Sequence, residues 1–137
     1  MKILKYLFTL PAIVIAITGV SQNTKPKTDP ALIGTWKGTS ICQVKPSPCN
    51  DEIAVYHITK QIAPGIYHVA GNKLVNGKEE EMGEFDFSFS AADSTLTYID
   101  EKRKFTIKFK VKENTMEGTL VSNSVIYRII KLAKQQN

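Results

Sequence analysis

The chain reads as an all-β domain, an antiparallel up-and-down barrel of eight strands carrying one disulfide. Three observations predict it. From residue 33 onward apolar and polar residues alternate with a period close to two, and no ten-residue stretch carries a helical stripe. Turn signals such as Pro64-Gly65 and Asn76-Gly77 arrive every eight to twelve residues, the spacing of a sandwich or barrel. Every connection is short enough to join antiparallel neighbours, and eight such strands with one apolar face leave two open edges unless the sheet closes on itself.

Before the barrel comes a segment of another kind. Lys2 and Lys5 precede an apolar run, 6–20, that is short for a membrane span and ends near the small residues Gly19 and Ser21. Residues 1–21 therefore read as a secretory signal peptide, and the protein as secreted or periplasmic with no membrane attachment after cleavage. Residues 22–29, QNTKPKTD, are a polar, flexible leader, and the barrel domain is 30–137. Removing 1–21 takes away two lysines and no acids, leaving 16 Lys and Arg against 13 Asp and Glu, a net charge of +3. Acids and bases are interleaved in KEEEMGE and DEKRK, which excludes the gathered basic face of a nucleic-acid binder.

The first strand, 33–41, carries the single tryptophan, Trp36, between Gly34 and Gly38. It runs into CQVKPSPC, where Cys42 and Cys49 of an exported chain are most simply a disulfide, contributing roughly 2.5 kcal/mol through loop closure. Strands over 52–60 and 66–75 follow, joined by a Pro64-Gly65 turn that pairs Ala63 with Ile66. That register puts Ile53, Val55, His57 and Thr59 inside; a slip of one residue would put Tyr56 and Ile58 there instead. Asn76-Gly77 is the signature of a type I′ turn pairing Val75 with Lys78, and it leads into the strand 78–90. Counting back sets His68 opposite Phe85 and Ile66 opposite Phe87, with Phe85, Phe87 and Phe89 inside and Glu84, Asp86 and Ser88 in water.

The same parity brings Leu96, Tyr98 and Asp100 of strand 95–100 inside. A tight turn at Glu101-Lys102 adds Arg103, Phe105, Ile107 and Phe109 of strand 103–111. Strand 116–121 contributes Met116, Gly118 and Leu120. The last strand, 125–132, is apolar on both faces, and parity from the Ser122 to Ser124 turn places Val125, Tyr127 and Ile129 inside.

Gly34-Thr35-Trp36, preceded by a short apolar turn and followed by about 100 residues of meander, resembles the start of the calycin group: lipocalins, fatty-acid-binding proteins and bacterial lipocalin-like relatives. The resemblance implies a barrel with Trp36 at its closed end and often a cavity for a small hydrophobic molecule. Lipocalins often set an arginine from the last strand over that tryptophan. Arg128 is the candidate for that closed-end position, although strand parity puts it outside, and KLAKQQN offers no helix after the barrel.

Connection parity gathers the disulfide loop, Asn76-Gly77, Glu101-Lys102 and Ser122 to Ser124 at the end opposite Trp36, which makes that end the mouth. The candidate ligand pocket is His57, His68, Phe85, Phe87, Tyr98, Phe105, Phe109 and Tyr127, with Glu81, Asp100 and Arg103 toward the rim. The two histidines lie about four residues apart along the strands, roughly 13 Å, too far to share an ion, so no metal and no cofactor are expected. No Gly-x-Ser-x-Gly, His-Glu-x-x-His or phosphate-binding glycine loop is present, and no catalytic residue is assigned. The expected function is non-enzymatic: a carrier of a small hydrophobic or amphipathic molecule. One alternative is a protein-interaction module, such as a secreted protease inhibitor, presenting the Cys42 to Cys49 loop to a protein partner. Another is a small-barrel enzyme using His57 or His68.

Overall fold

The computed structural model describes residues 31–46 and 48–137. The expected signal segment, 1–21, and leader, 22–29, lie outside the described residues. Eight strands follow one another: β1 (Gly34–Cys42), β2 (Glu52–Ala63), β3 (Ile66–Val75), β4 (Lys78–Ser90), β5 (Thr95–Asp100), β6 (Phe105–Lys112), β7 (Thr115–Ser122) and β8 (Val125–Lys134). Each pairs antiparallel with the next, and β8 returns to β1, closing an up-and-down barrel. Cys42 and Cys49 form a disulfide across the β1–β2 connection.

Turn chemistry sets much of the register. Asn76 and Gly77 have φ of 52° and 75°, the two left-handed residues of a type I′ turn, and Val75 pairs with Lys78 as expected. Ala63 pairs with Ile66 across Pro64-Gly65. The β5–β6 turn is longer than expected: Asp100 pairs with Phe105, and Arg103 sits in the turn. A register change of two residues keeps every side chain on its face, so Leu96, Tyr98, Phe105, Ile107 and Phe109 remain interior.

Single-residue bulges have the opposite effect, and two of them correct the expected faces. In β3–β4 the register shifts between Gly71 and Asn72, leaving Met82 without a partner: Asn72 faces Glu81, but Gly71 faces Gly83. Beyond that point the parity of β3 inverts. His68 stands opposite Asp86 rather than Phe85, and Tyr67 and Val69 are buried instead. Two further one-residue shifts in β2–β3 add to two, an even number that preserves parity, so β2 follows β3. Ala54, Tyr56 and Ile58 face the core, whereas Ile53 and Thr59 are exposed and His57 lies on the outer face. Val55 is buried on that outer face, not in the core cluster. In β7–β8 the shift after Leu120 leaves Tyr127 unpaired. Ile129 therefore turns outward, and Ile130 and Leu132 enter the core.

The end of the barrel where β1 begins and β8 ends is closed. Trp36 is fully buried and donates its indole N–H to the Leu32 carbonyl at 2.9 Å, which fixes the apolar plug ahead of β1. Because β8 runs to Lys134, it is Lys134 that pairs with Trp36 and sets its ammonium 5.7 Å from the ring centre. The same ammonium donates to the Ala31 carbonyl. Gly34 of the G-x-W has φ of 143°, and a Cβ there would sit 2.7 Å from Lys134 Cε. Arg128 is therefore not the closed-end residue. It pairs with Leu120 and Cys42, near the start of β8 and hence at the opposite end, and the Tyr127 bulge turns it toward the inner face.

Candidate ligand recess

A recess of about 670 Å³ opens at the disulfide-loop end, within the several-hundred Å³ range of small-molecule sites. Of the expected pocket residues, Phe85, Tyr98, Phe105 and Tyr127 line it. Phe87 and Phe109 do not line it; they are fully buried in the core and joined to its wall by a chain of edge-on and tilted ring contacts. Phe85 meets Tyr98 at 5.0 Å between centroids, Tyr98 meets Phe87 at 5.7 Å, and Phe87 meets Phe109 at 6.1 Å.

Tyr56, which the expected register left outside, is the main polar group of this space. It lines the recess, is 5% exposed and packs edge-on against Phe109 at 5.7 Å. Gly71 makes room for it: a Cβ there would lie 2.7 Å from Tyr56 Cε1 and 3.0 Å from Phe85 Cε2. Among the described residues nothing hydrogen-bonds the Tyr56 hydroxyl, and the one fully enclosed, unpartnered side-chain polar atom is Asn72 Oδ1. The Tyr56 oxygen therefore reaches open space, which at this depth is the recess. Burial pushes the phenol up to about 12, with Arg128 opposing and Glu52 reinforcing the shift, so it remains a donor at any ordinary pH.

Three cations at this end are paired. Arg128 donates to the Asn50 carbonyl at 3.0 Å and to Ser40 Oγ at 3.2 Å, and its second terminal nitrogen lies 3.3 Å from Glu52 Oε1. Lys73 bridges Glu52 at 3.9 Å and Glu80 at 3.7 Å. Arg103 lies 3.8 Å from Asp100 at the rim. The disulfide loop is tied to the same wall: the Cys42 amide donates to Asp51 Oδ1 at 2.9 Å and the Gln43 amide to the Tyr127 carbonyl at 2.9 Å.

The two histidines are not recess residues. His57 lies on the outer face, with Nδ1 3.0 Å from Thr35 Oγ1 and Nε2 2.6 Å from Glu79 Oε2. Asn72 donates to the same carboxylate oxygen at 2.7 Å, and these two bonds, Asn72's first, hold the Glu79 carboxyl below its ordinary value. His68 meets Asp86 at 2.8 Å, likewise outside. The Met82 insertion produces both displacements. Its signal in the sequence was two mid-strand glycines, Gly71 and Gly83, and the run Glu79-Glu80-Glu81 that breaks alternation.

The barrel is compatible with a calycin-like fold. No protein-family model matches the chain, and neither curated proteins nor solved structures provide a match.

Proposed function

We propose that this protein is a secreted or periplasmic, lipocalin-like carrier that holds a small hydrophobic or amphipathic molecule in the recess at the disulfide-loop end. The observation that carries the reading is a space of about 670 Å³ with Phe85, Tyr98, Phe105 and Tyr127 in its walls and Tyr56 reaching into it. A barrel evolved only for stability fills its interior with side chains, as this one does around Trp36 and Phe87. The recess leaves Phe85, Tyr98 and Phe105 only partly buried, a cost that a bound apolar molecule offsets. The Cys42–Cys49 bond is consistent with an oxidising compartment. Native mass spectrometry of the domain after incubation with an extract of its host tests the proposal. A non-covalent adduct of a few hundred daltons, lost on denaturation and on Ser122→Trp, is the expected outcome; a bare mass in every extract would refute it.

A second reading has its own observation. The base of the Cys42 to Cys49 loop is anchored, with the Cys42 amide on Asp51, the Gln43 amide on the Tyr127 carbonyl and Arg128 on the Asn50 carbonyl just beyond it, a placement suited to presenting the loop to a protein partner such as a protease. Replacing Val44 to Pro48 with Gly and Ser should then abolish inhibition of a susceptible secreted protease without unfolding the barrel. Inhibition by neither form, across serine, cysteine and metalloproteases, would end that reading.

A further inference from the structure

We infer that the recess takes an uncharged, ring-bearing molecule whose carbonyl or other neutral acceptor is bound by the Tyr56 hydroxyl; this rests on the carrier reading and narrows it to a ligand class. Three observations converge on it. The first is the unpartnered donor. Tyr56 lines the recess, is 5% exposed and has no hydrogen bond among the described residues, so its hydroxyl is free to donate to a molecule there. Its phenol is held protonated by burial, so it can give a hydrogen bond but offers no charge.

The second is the charge pattern. An anionic ligand, such as a fatty carboxylate, needs a cation whose field is not already spent. Arg128 is committed to Ser40, Asn50 and Glu52, and Lys73 to Glu52 and Glu80. The charged residues that line the recess itself are Glu84, Asp100 and Arg103, two acids to one base, with Arg103 largely in water beside Asp100. A carboxylate entering here would lose hydration and meet no unmatched cation. A cation would meet Asp100, already 3.8 Å from Arg103, and Glu84, exposed and 3.8 Å from His68, and otherwise walls without charge.

The third is the shape of the walls. Phe85, Tyr98 and Phe105 form a chain of contacts at 5.0 and 5.7 Å between centroids, presenting ring faces and edges in which a flat ring system finds partners that a flexible alkyl chain does not. A planar molecule inserted ring-first against these walls brings an acceptor within reach of Tyr56 at the inner boundary.

The test uses 6-propionyl-2-dimethylaminonaphthalene, a neutral naphthyl ketone whose emission moves to longer wavelength when its carbonyl accepts a hydrogen bond. The anionic comparator is 8-anilinonaphthalene-1-sulfonate. The expected result is that the oxidised wild-type domain binds the ketone more tightly than the sulfonate. Tyr56→Phe should weaken the ketone by about three- to tenfold, the usual value of one neutral hydrogen bond, and move its bound emission to shorter wavelength. Tyr67→Phe, at a tyrosine of the lower core that does not line the recess, checked for folding alongside it by circular dichroism, should do neither. Ketone binding that Tyr56→Phe leaves unchanged in affinity and emission overturns the role of Tyr56 while leaving the recess as a carrier site. Tighter binding of the sulfonate overturns the uncharged class and likewise leaves the carrier. Binding of neither probe, or binding that survives Ser122→Trp at the rim, overturns this inference in both parts; the host-extract experiment then decides the carrier reading separately.

Discussion

Replacing Arg128 by methionine distinguishes an arginine at the mouth from one over Trp36. In the barrel its guanidinium donates to Asn50 and Ser40 and meets Glu52, and the side chain is 12% exposed. Methionine preserves the apolar stem but removes every one of these bonds. Glu52, 18% exposed, keeps only Lys73 at 3.9 Å among the cations that approach it. An uncompensated buried charge costs about 3–5 kcal/mol, and partial exposure of Glu52 with rehydration of the Asn50 carbonyl reduces this, so about 2–3 kcal/mol is expected. Urea unfolding of the oxidised protein, followed by far-ultraviolet circular dichroism, reads it as a lower midpoint at unchanged slope. Adding Glu52→Gln should recover part of the loss, since the orphaned charge goes with it. Native Trp36 emission should stay constant in Arg128→Met and change in Lys134→Met, because Lys134 is the cation 5.7 Å from that ring. A loss below about 0.5 kcal/mol, or a Trp36 shift caused by the Arg128 change, would refute this placement.

Other perturbations address the framework and the surface. A Cβ at Gly38 would lie 1.9 Å from the Lys131 carbonyl oxygen on the strand that closes the barrel, so Gly38→Ala should cost about 3 kcal/mol or more in the same urea assay. Gly77→Ala, with nothing within 4 Å but φ of 75°, should cost only about 1 kcal/mol; equal losses would contradict the close approach. Gly71→Val drives its side chain against Tyr56 and Phe85, and should abolish binding of the naphthyl ketone at a stability cost of about 1–3 kcal/mol; undiminished binding would show that these rings do not shape the recess. Glu79 has a folded carboxyl pKa below its unfolded value, so it contributes stability above the unfolded pKa that is lost as pH falls through the folded one. Glu79→Gln should therefore flatten the acid side of the stability profile slightly, the effect being screened because the side chain is 40% exposed. An acid limb of unchanged slope would refute this assignment.

The architecture was legible because it depends on features that tolerate small errors. Strand number, order and approximate ends follow from alternation and turn residues, and Asn76-Gly77 fixes its hairpin through the φ values that only certain residues adopt. The β5–β6 turn was read two residues short without consequence, since Tyr98 moved from opposite Phe105 to opposite Ile107 and both pairs face inward. The site was legible on the β4–β6 wall, where Phe85, Tyr98 and Phe105 keep the inward parity that alternation assigns. It was illegible in β2, β3 and β8, where an odd insertion exchanges the two faces at once. In β8 the sequence Val125-Ile126-Tyr127-Arg128-Ile129-Ile130 is apolar on both faces, so hydrophobicity supplied no restoring signal against the Tyr127 bulge.

The β3–β4 bulge decides more than register. Without the extra residue Met82, the parity of β2 and β3 would hold from the Asn76-Gly77 turn onward, and the barrel would enclose His57 and His68 while exposing Tyr56, Tyr67 and Val69. The interior would then carry two titratable imidazoles, the composition from which an acid–base or metal site could be built. With Met82 inserted, both imidazoles meet carboxylates in water, Tyr67 and Val69 complete the lower core, and the polar group placed inside is a phenol that stays neutral. Gly71 and Gly83, facing one another at the bulge, leave the volume that Tyr56 and Phe85 occupy. One inserted residue and two absent side chains thus exchange two imidazoles for a phenol in this half of the barrel, and the same step sets that phenol beside the aromatic walls. Deleting Met82 should reverse the exchange: the naphthyl ketone would lose its site if the domain still folded, and a deletion that left its affinity intact would show that the bulge does not set the recess.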